Sequence, residues 1–396
     1  MIYLVMPKRG FNTNAVQAGE LRDSHMGSVV TPLFQASTFL YPNDDPTALT
    51  DRIRKEPYIY SRWNNPTTQS LEIKYSSLEG SKFSLGFSSG MAAIASAVLS
   101  IAKKHKRILS VEELYGQTHG VFENLLPQFG ISVDFITIDR FNSCDFKCRG
   151  YDLVYTESVV NPTLRVSDIS RVSKFCADEG VPLVVDATFA SPFNQRPLEN
   201  GASVAVHSAT KYISGHSDTI YGIASTDSEE IFMEMQNLRR LLGSNPDPFQ
   251  SFLVARGTKT LGLRMERHNR NGMEISKMLS ADQKVKIVNY PGLDNFIDHG
   301  IARRNLQGFG GMISFELKGG VETARRFMKN LKIPVIASSL GGVESLVSMP
   351  IETSHRSIDP VKRKSMGIGD GLIRFSSGIE DTEDLIADIQ GAFEKV

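Results

Sequence analysis

The sequence is poor in cysteine, in net charge and in long apolar runs. Its three cysteines, Cys144, Cys148 and Cys176, form an odd and sparse set. Such a set makes no disulfide framework, so a reducing, cytoplasmic setting fits it. Cys144 and Cys148 are spaced like half of a metal site. Structural zinc needs four ligands, and no second ligand cluster accompanies this pair, so free thiols and no metal are expected. Lysine plus arginine number 44, and aspartate plus glutamate also number 44, for a formal charge of +0. A nucleic-acid binder ordinarily carries a basic excess, and attraction to anionic membranes needs one too. Neither nucleic acid nor membrane is therefore an expected partner. The longest mid-chain apolar stretch, Met91 to Ala102, is interrupted by Ser96 and Ser100. It falls far short of the ~20 residues of a membrane span. The apolar start, Met1 to Met6, is too short for a signal-peptide core, and its charges at Lys8 and Arg9 follow it instead of preceding it. There is no internal repeat and no low-complexity tract.

What is present is ordinary globular material, 41% hydrophobic and 22% charged over 396 residues. That length predicts two or three domains with ample core. Residues 1–60 are rich in Pro, Asn, Asp and Thr and read as irregular, with Pro42–Pro46 a loop. So long an arm in a compact protein is functional or packs on another subunit. From about residue 66 the pattern changes. Met91, Ile94, Ala95, Val98, Leu99 and Ala102 recur at helical spacing, which predicts a helix over 91–104. The basic run Lys103–Arg107 ends it, and cations are favourable at a helix C-terminus. Strands are predicted at Arg107–Leu109, Val133–Ile138, Leu153–Tyr155, Leu183–Val185, Ser203–Val206 and Ile220–Ala224, with a helix over Val166–Glu179. This alternation implies an α/β fold whose mostly parallel central sheet has helices on both faces, with ligands beyond the carboxyl ends of the strands. One long helical pattern follows residue 228 and runs past 270. The C-terminal third mixes a strand at Met312–Leu317 with helices at Val321–Asn330 and Thr382–Phe393. The division expected is 1–65, 66–250 and 251–396.

Three features fall where such a sheet meets ligand. Ser88-Ser89-Gly90 stands directly before the predicted helix. Serine there caps the helix, and the same free amides can also hold a phosphate. Asp186 ends the buried run Leu183–Val185. A carboxylate in that place is costly unless paired, so it is either a loop cap or the partner of a cationic ring nitrogen or a metal. His207-Ser208-Ala209-Thr210-Lys211 follows the next strand. Lys211 is either a solvated surface lysine or an amine of lowered pKa able to form a Schiff base. The three together make one proposal. A phosphate needs the serine and glycine cup with Ser208 and Thr210, a pyridine nitrogen needs Asp186, and an aldehyde needs Lys211. That set matches pyridoxal 5′-phosphate.

The surrounding motifs carry a resemblance. His207-Ser-Ala-Thr-Lys-Tyr-Ile-Ser-Gly-His-Ser-Asp218 is joined by Tyr60-Ser-Arg62, Asn65-Pro-Thr67, Ser88-Ser-Gly-Met91, Leu114-Tyr-Gly116, Asn161-Pro-Thr163, Gly308-Phe-Gly-Gly-Met312, Ser339-Leu-Gly-Gly342 and Arg374-Phe-Ser-Ser-Gly378. In this order, from about Gly27 to Asp381, the chain resembles the Cys/Met-metabolism (transsulfuration) family of pyridoxal-phosphate enzymes. The resemblance implies an aspartate-aminotransferase-like fold (fold type I) with a smaller C-terminal α/β domain. It implies that Lys211 holds the cofactor, that Asp186 meets the pyridine nitrogen and that Tyr115 stacks on the ring and serves in catalysis. Ser89, Gly90, Met91, Ser208 and Thr210 would bind the phosphate. Tyr60 and Arg62 would reach the site of a neighbouring subunit, with Tyr60 also near substrate. Arg374 would take the substrate α-carboxylate, with Ser339 and Asn161 beside it. A homotetramer with shared active sites is implied, acting on a small amino-acid substrate. The activity implied is γ-replacement or γ-elimination, cystathionine γ-synthase or γ-lyase first. Methionine γ-lyase and O-acylhomoserine sulfhydrylase are alternatives, ahead of cystathionine β-lyase or an aminotransferase. Ala187, Ser338 and Gln117 depart from the family pattern, and the last two lie where members differ in reaction.

Overall fold

Short runs of β-branched and apolar residues between residues 83 and 226 pair into one sheet. A computed structural model describes residues 9–22, 26–41, 58–356 and 358–396. The apolar start Met1–Met6 and the Pro42–Pro46 loop lie outside them. The strands are β1 (Phe83–Phe87), β2 (Arg107–Val111), β3 (Ser132–Ile136), β4 (Leu153–Glu157), β5 (Leu183–Asp186), β6 (Val204–Ser208) and β7 (Gly222–Thr226). Their order is β1-β7-β6-β5-β4-β2-β3 in a 7-stranded sheet. From β6 to β3 the neighbours are parallel, whereas β7 runs antiparallel to both β6 and β1. All the predicted strands of this region are present, displaced by a residue or two. β1 was not anticipated, because Gly86 breaks its pattern. The glycine is required there, since a Cβ would strike the Tyr221 hydroxyl. The helix Gly90–Ile101 turns Ala93, Ile94, Ala97 and Val98 inward, onto a core shared with Val185, Val206 and Ala224.

Two helical expectations are corrected. The pattern from 228 past 270 is three helices, Glu229–Leu242, Pro248–Thr258 and Leu261–Ala281. Gly243 stops the first in the left-handed region at φ 71°, and Asp247 caps the second ahead of Pro248. The Val166–Glu179 helix begins only at Ile169, because Val166 bridges Val159 in extended backbone. The irregular reading of 1–60 is also revised in part. Phe11–Gln17 is helical and packs on its own chain, with Lys74 Nζ donating to Ala15 O at 3.0 Å and Phe11 edge-on to Phe193.

A second, 5-stranded sheet uses β8 (Val285–Asn289), β9 (Met312–Leu317), β10 (Val335–Ile336), β11 (Leu346–Ser348) and β12 (Leu372–Ser376), in the order β10-β11-β12-β9-β8. It is antiparallel except for β10 with β11. Its core residues Ile313, Phe315, Val347, Ile373 and Phe375 run on without a break into Met265, Ile275 and Tyr212. This continuity holds β12 against the carboxyl edge of the first sheet. Among the described residues, no helix is long and apolar enough to cross a membrane, and no group of three or more His, Cys, Asp or Glu is placed to hold a metal. The three cysteines are free, with Cys148 and Cys176 Sγ atoms 3.3 Å apart.

Candidate active site

Three adjacent parallel strands end on functional groups. The last residue of β4 is Glu157, that of β5 is Asp186 and that of β6 is Ser208. Beyond them lies a cavity of about 530 Å³. Of the site residues predicted from sequence, Ser89, Gly90, Met91, Tyr115, Asn161, Asp186, Ser208, Thr210, Lys211, Ser339 and Arg374 all line it. Tyr60 and Arg62 do not. Tyr60 is exposed, and Arg62 donates to Arg240 O at 2.9 Å while lying 5.5 Å from the Tyr60 ring.

One wall is the start of the helix Gly90–Ile101. Ser89 Oγ accepts from Ala92 N at 3.1 Å, so the capping reading is realised. Ala93 N donates to Ser89 O, which leaves the Gly90 and Met91 amides without an intrahelical acceptor. A Cβ on Gly90 would lie 2.8 Å from Ser208 Cβ, and one on Gly222 would strike Ser89 O. Glycine at both places keeps an anion-sized cup open between helix and strand. Thr210 Oγ1 accepts from Tyr221 N at 2.9 Å, so part of its capacity holds its own loop.

The floor carries two buried carboxylates with no ion pair among the described residues. Asp186 accepts from Thr188 N at 2.9 Å and from Thr188 Oγ1 at 2.5 Å. Glu157 accepts from Tyr115 N at 2.6 Å and from Asn161 N at 3.2 Å. The two are register partners on β4 and β5. Burial pushes the Asp186 carboxyl above its usual range. Burial, with Asp186 beside it, pushes Glu157 up to about 8. A buried pair of acids calls for a nearby cation.

Lys211 enters from the turn after β6. Its Nζ donates to Ser339 Oγ at 2.8 Å. Burial first, and then the Arg374 charge, lower its ammonium to about 8. The turn is held by Arg264, which donates to Tyr212 O at 2.5 Å and to Ile213 O at 3.1 Å. Arg374 sits within β12, paired with Ser348 and Ser314 across the second sheet. It donates to Asn161 Oδ1 at 3.3 Å and to Ser339 O at 3.0 Å. Burial lowers it to about 10, still a full cation at neutral pH. Ser339 itself holds φ 81°, a conformation that costs a non-glycine residue of order 1 kcal/mol or more. Its carbonyl is thereby committed to Arg374 and its hydroxyl to Lys211.

Residues 12–394 match the family described as Cys/Met metabolism PLP-dependent enzyme. The chain belongs to this family. It is 38% identical to cystathionine gamma-lyase of Dictyostelium discoideum over 97% of both chains. It is 39% identical to cystathionine beta-lyase of Lactococcus lactis over 97% of this chain and 98% of that one. The crystal structure of metB from Corynebacterium glutamicum superimposes with a TM-score of 0.91 at 36% identity, covering 98% of each chain. The chain is thus a PLP-dependent enzyme of Cys/Met metabolism, a lyase or transferase acting on amino acids, with the fold of that family.

The residues present fit the family's cofactor. The glycine-lined cup suits a phosphate, the uncompensated Asp186 suits a cationic ring nitrogen, and Lys211 offers a largely buried amine of lowered pKa in the same cavity. Sequence reasoning missed Glu157, Thr188, Thr353 and Ser354, which also line it. Glu157 obeys the rule that singled out Asp186, but the predicted strand stopped at Tyr155 and left it in a loop. Thr353 and Ser354 come from the second sheet's side and carry no local signal.

Proposed function

We propose that this cavity holds pyridoxal 5′-phosphate at Lys211. We further propose that the chain replaces or eliminates the γ-substituent of a sulfur-containing or O-acylated homoserine amino acid, with cystathionine γ-synthase or γ-lyase activity first. The observation that carries the reading is the meeting of Lys211 and Arg374 across Ser339. A base and a carboxylate receptor stand on opposite sides of one residue.

Arg374 has N–H groups beyond those given to Asn161 and Ser339, and a planar guanidinium suits the α-carboxylate. Fixing the carboxylate there leaves the Cα proton within the reach of Lys211. With an ammonium lowered to about 8, Lys211 supplies a neutral amine at mildly alkaline pH and takes that proton. For γ-chemistry Lys211 also moves a Cβ proton. When bound, the cofactor supplies an electron sink for the pair left at Cα. Asp186, ionised, holds the positive charge that such a sink requires. Burial raises the Tyr115 phenol, so it stays protonated and serves as donor to the departing group. Tyr60 and Arg62, outside their own cavity, serve the site of a second copy in a cytoplasmic homotetramer. The arm over 1–65, whose helix Phe11–Gln17 stays on its own chain, then contacts that copy around Tyr60 and Arg62, ahead of a cofactor domain over 66–250 and a small domain over 251–396.

Purified holoenzyme would be offered cystathionine, methionine, cysteine, or O-acylhomoserine with cysteine. The expected products are 2-oxobutanoate from cystathionine or cystathionine from the acylated substrate. Pyruvate alone would refute γ-chemistry. It would favour β-elimination instead, a second reading supported by the 39% identity to the Lactococcus β-lyase.

A further inference from the structure

Glu157 has a burial that its surroundings do not explain. It is 5% exposed, has no ion pair among the described residues, and ends a strand at the cavity floor. A buried carboxylate is a costly way to close a loop, and a neutral side chain would do so at less cost. Its two bonds show what the carboxylate offers. Oε1 accepts from Tyr115 N at 2.6 Å and Oε2 from Asn161 N at 3.2 Å. Ionised, Glu157 presents two acceptor oxygens and no donor, so it holds one amide on each oxygen, and both bonds oppose the burial that raises its pKa.

The two amides lie on different loops. Tyr115 belongs to the turn that follows β2. That turn is also held from the second sheet's side, where His355 Nε2 meets Leu114 O at 3.3 Å. Asn161 belongs to the loop after β4, and its side chain accepts from Arg374. One carboxylate therefore joins the loop that carries the phenol to the loop that steadies the guanidinium.

We propose that Glu157 is a positioning residue, clamping the Tyr115 and Asn161 amides so that the phenol and the Arg374 guanidinium keep one fixed separation across the cavity. This rests on the reading that Arg374 receives the substrate carboxylate. Glu157 touches neither substrate nor Lys211 in this role and acts through the two loops.

The test uses cofactor-loaded Glu157→Gln and Glu157→Asp enzymes, with KM, kcat, the circular dichroism of the cofactor band and thermal midpoints. Gln keeps one acceptor and turns an NH2 toward the other amide. KM is expected to rise about tenfold in the fully loaded enzyme, with a smaller loss in kcat. The cofactor-band ellipticity falls as Tyr115 loosens. Asp keeps both acceptors on a shorter stem and restores KM part of the way. Wild-type KM and ellipticity in Glu157→Gln would overturn the proposal. So would equal impairment of both variants that tracks only a lower midpoint and lost cofactor. If Glu157→Gln does not fold, Glu157→Asp alone decides, with about a threefold rise in KM expected and a wild-type KM refuting. Arg374→Ala, run alongside, reports on the underlying reading. An unchanged KM there defeats the carboxylate assignment whatever Glu157 does.

Discussion

Replacing the lysine at the centre of the site is expected to stabilise the cofactor-free protein while abolishing turnover. Lys211→Met keeps the length of the stem and removes the ammonium. In the wild-type fold that ammonium is lowered from 10.5 to about 8, chiefly by burial and then by Arg374. Holding it charged at pH 7 costs up to roughly 3 kcal/mol, and water at its partly exposed head reduces this to about 2. The lost bond to Ser339 Oγ returns about 1 kcal/mol of that. The net gain is on the order of 1–2 kcal/mol, a rise of about 2 °C in midpoint for a chain this long. The sign with pH follows from the direction of the shift. A lysine lowered in the fold binds fewer protons there than in the unfolded chain between about 8 and 10.5. Wild-type stability therefore rises with pH across that window, relative to the variant. The variant's advantage is full below about 8 and fades toward 10.5. Differential scanning fluorimetry of both proteins, stripped of cofactor, at several pH values reads it directly. A variant less stable than wild type at pH 7, or an advantage that grows with pH, would show that the buried ammonium carries no such cost. Any remaining turnover by Lys211→Met would refute the role of the amine.

Three further outcomes are expected. Arg374→Ala removes a buried guanidinium and should lower kcat/KM by about a hundredfold or more, mostly through KM, in steady-state assays. Asp186→Asn keeps the shape but not the charge. Weaker cofactor binding by equilibrium dialysis and a kcat loss of about a hundredfold are expected, and native values for both would argue that no cationic group sits there. Gly116→Ala drives a Cβ into Ser354 O, a backbone atom that cannot swing aside as a side chain would. A loss of about 3 kcal/mol by denaturant titration is expected, against little change if the two segments can separate.

Much of the site was legible in the chain because its signals are local. A glycine after two serines before an apolar-periodic run marks a helix start, and Ser89 does cap one. A carboxylate after three β-branched or apolar residues marks the end of a buried strand, and Asp186 stands there. The same signal stands at Glu157 but is masked, since Thr156 and Glu157 look polar in sequence although both are buried. The helix breaks at Gly243 and Pro248 were also written locally but were outweighed by the apolar repeat around them. The strand Phe83–Phe87 was hidden because its glycine answers to Tyr221, a residue remote in sequence.

By itself, then, the sequence determined the alternation of strand and helix, the cup at Gly90, and the residue types able to hold a phosphorylated pyridine aldehyde. It also determined, through its ordered motifs, the family. Tertiary structure decided the rest. Arg374 is brought to Asn161 from 213 residues away, and Ser339 to Lys211 from 128. Contacts at that range depend on how the second sheet's core runs into Tyr212, Met265 and Ile275 beside the first sheet. No spacing within a helix or strand can specify them, because periodicity decays within a few turns while packing acts across the whole molecule.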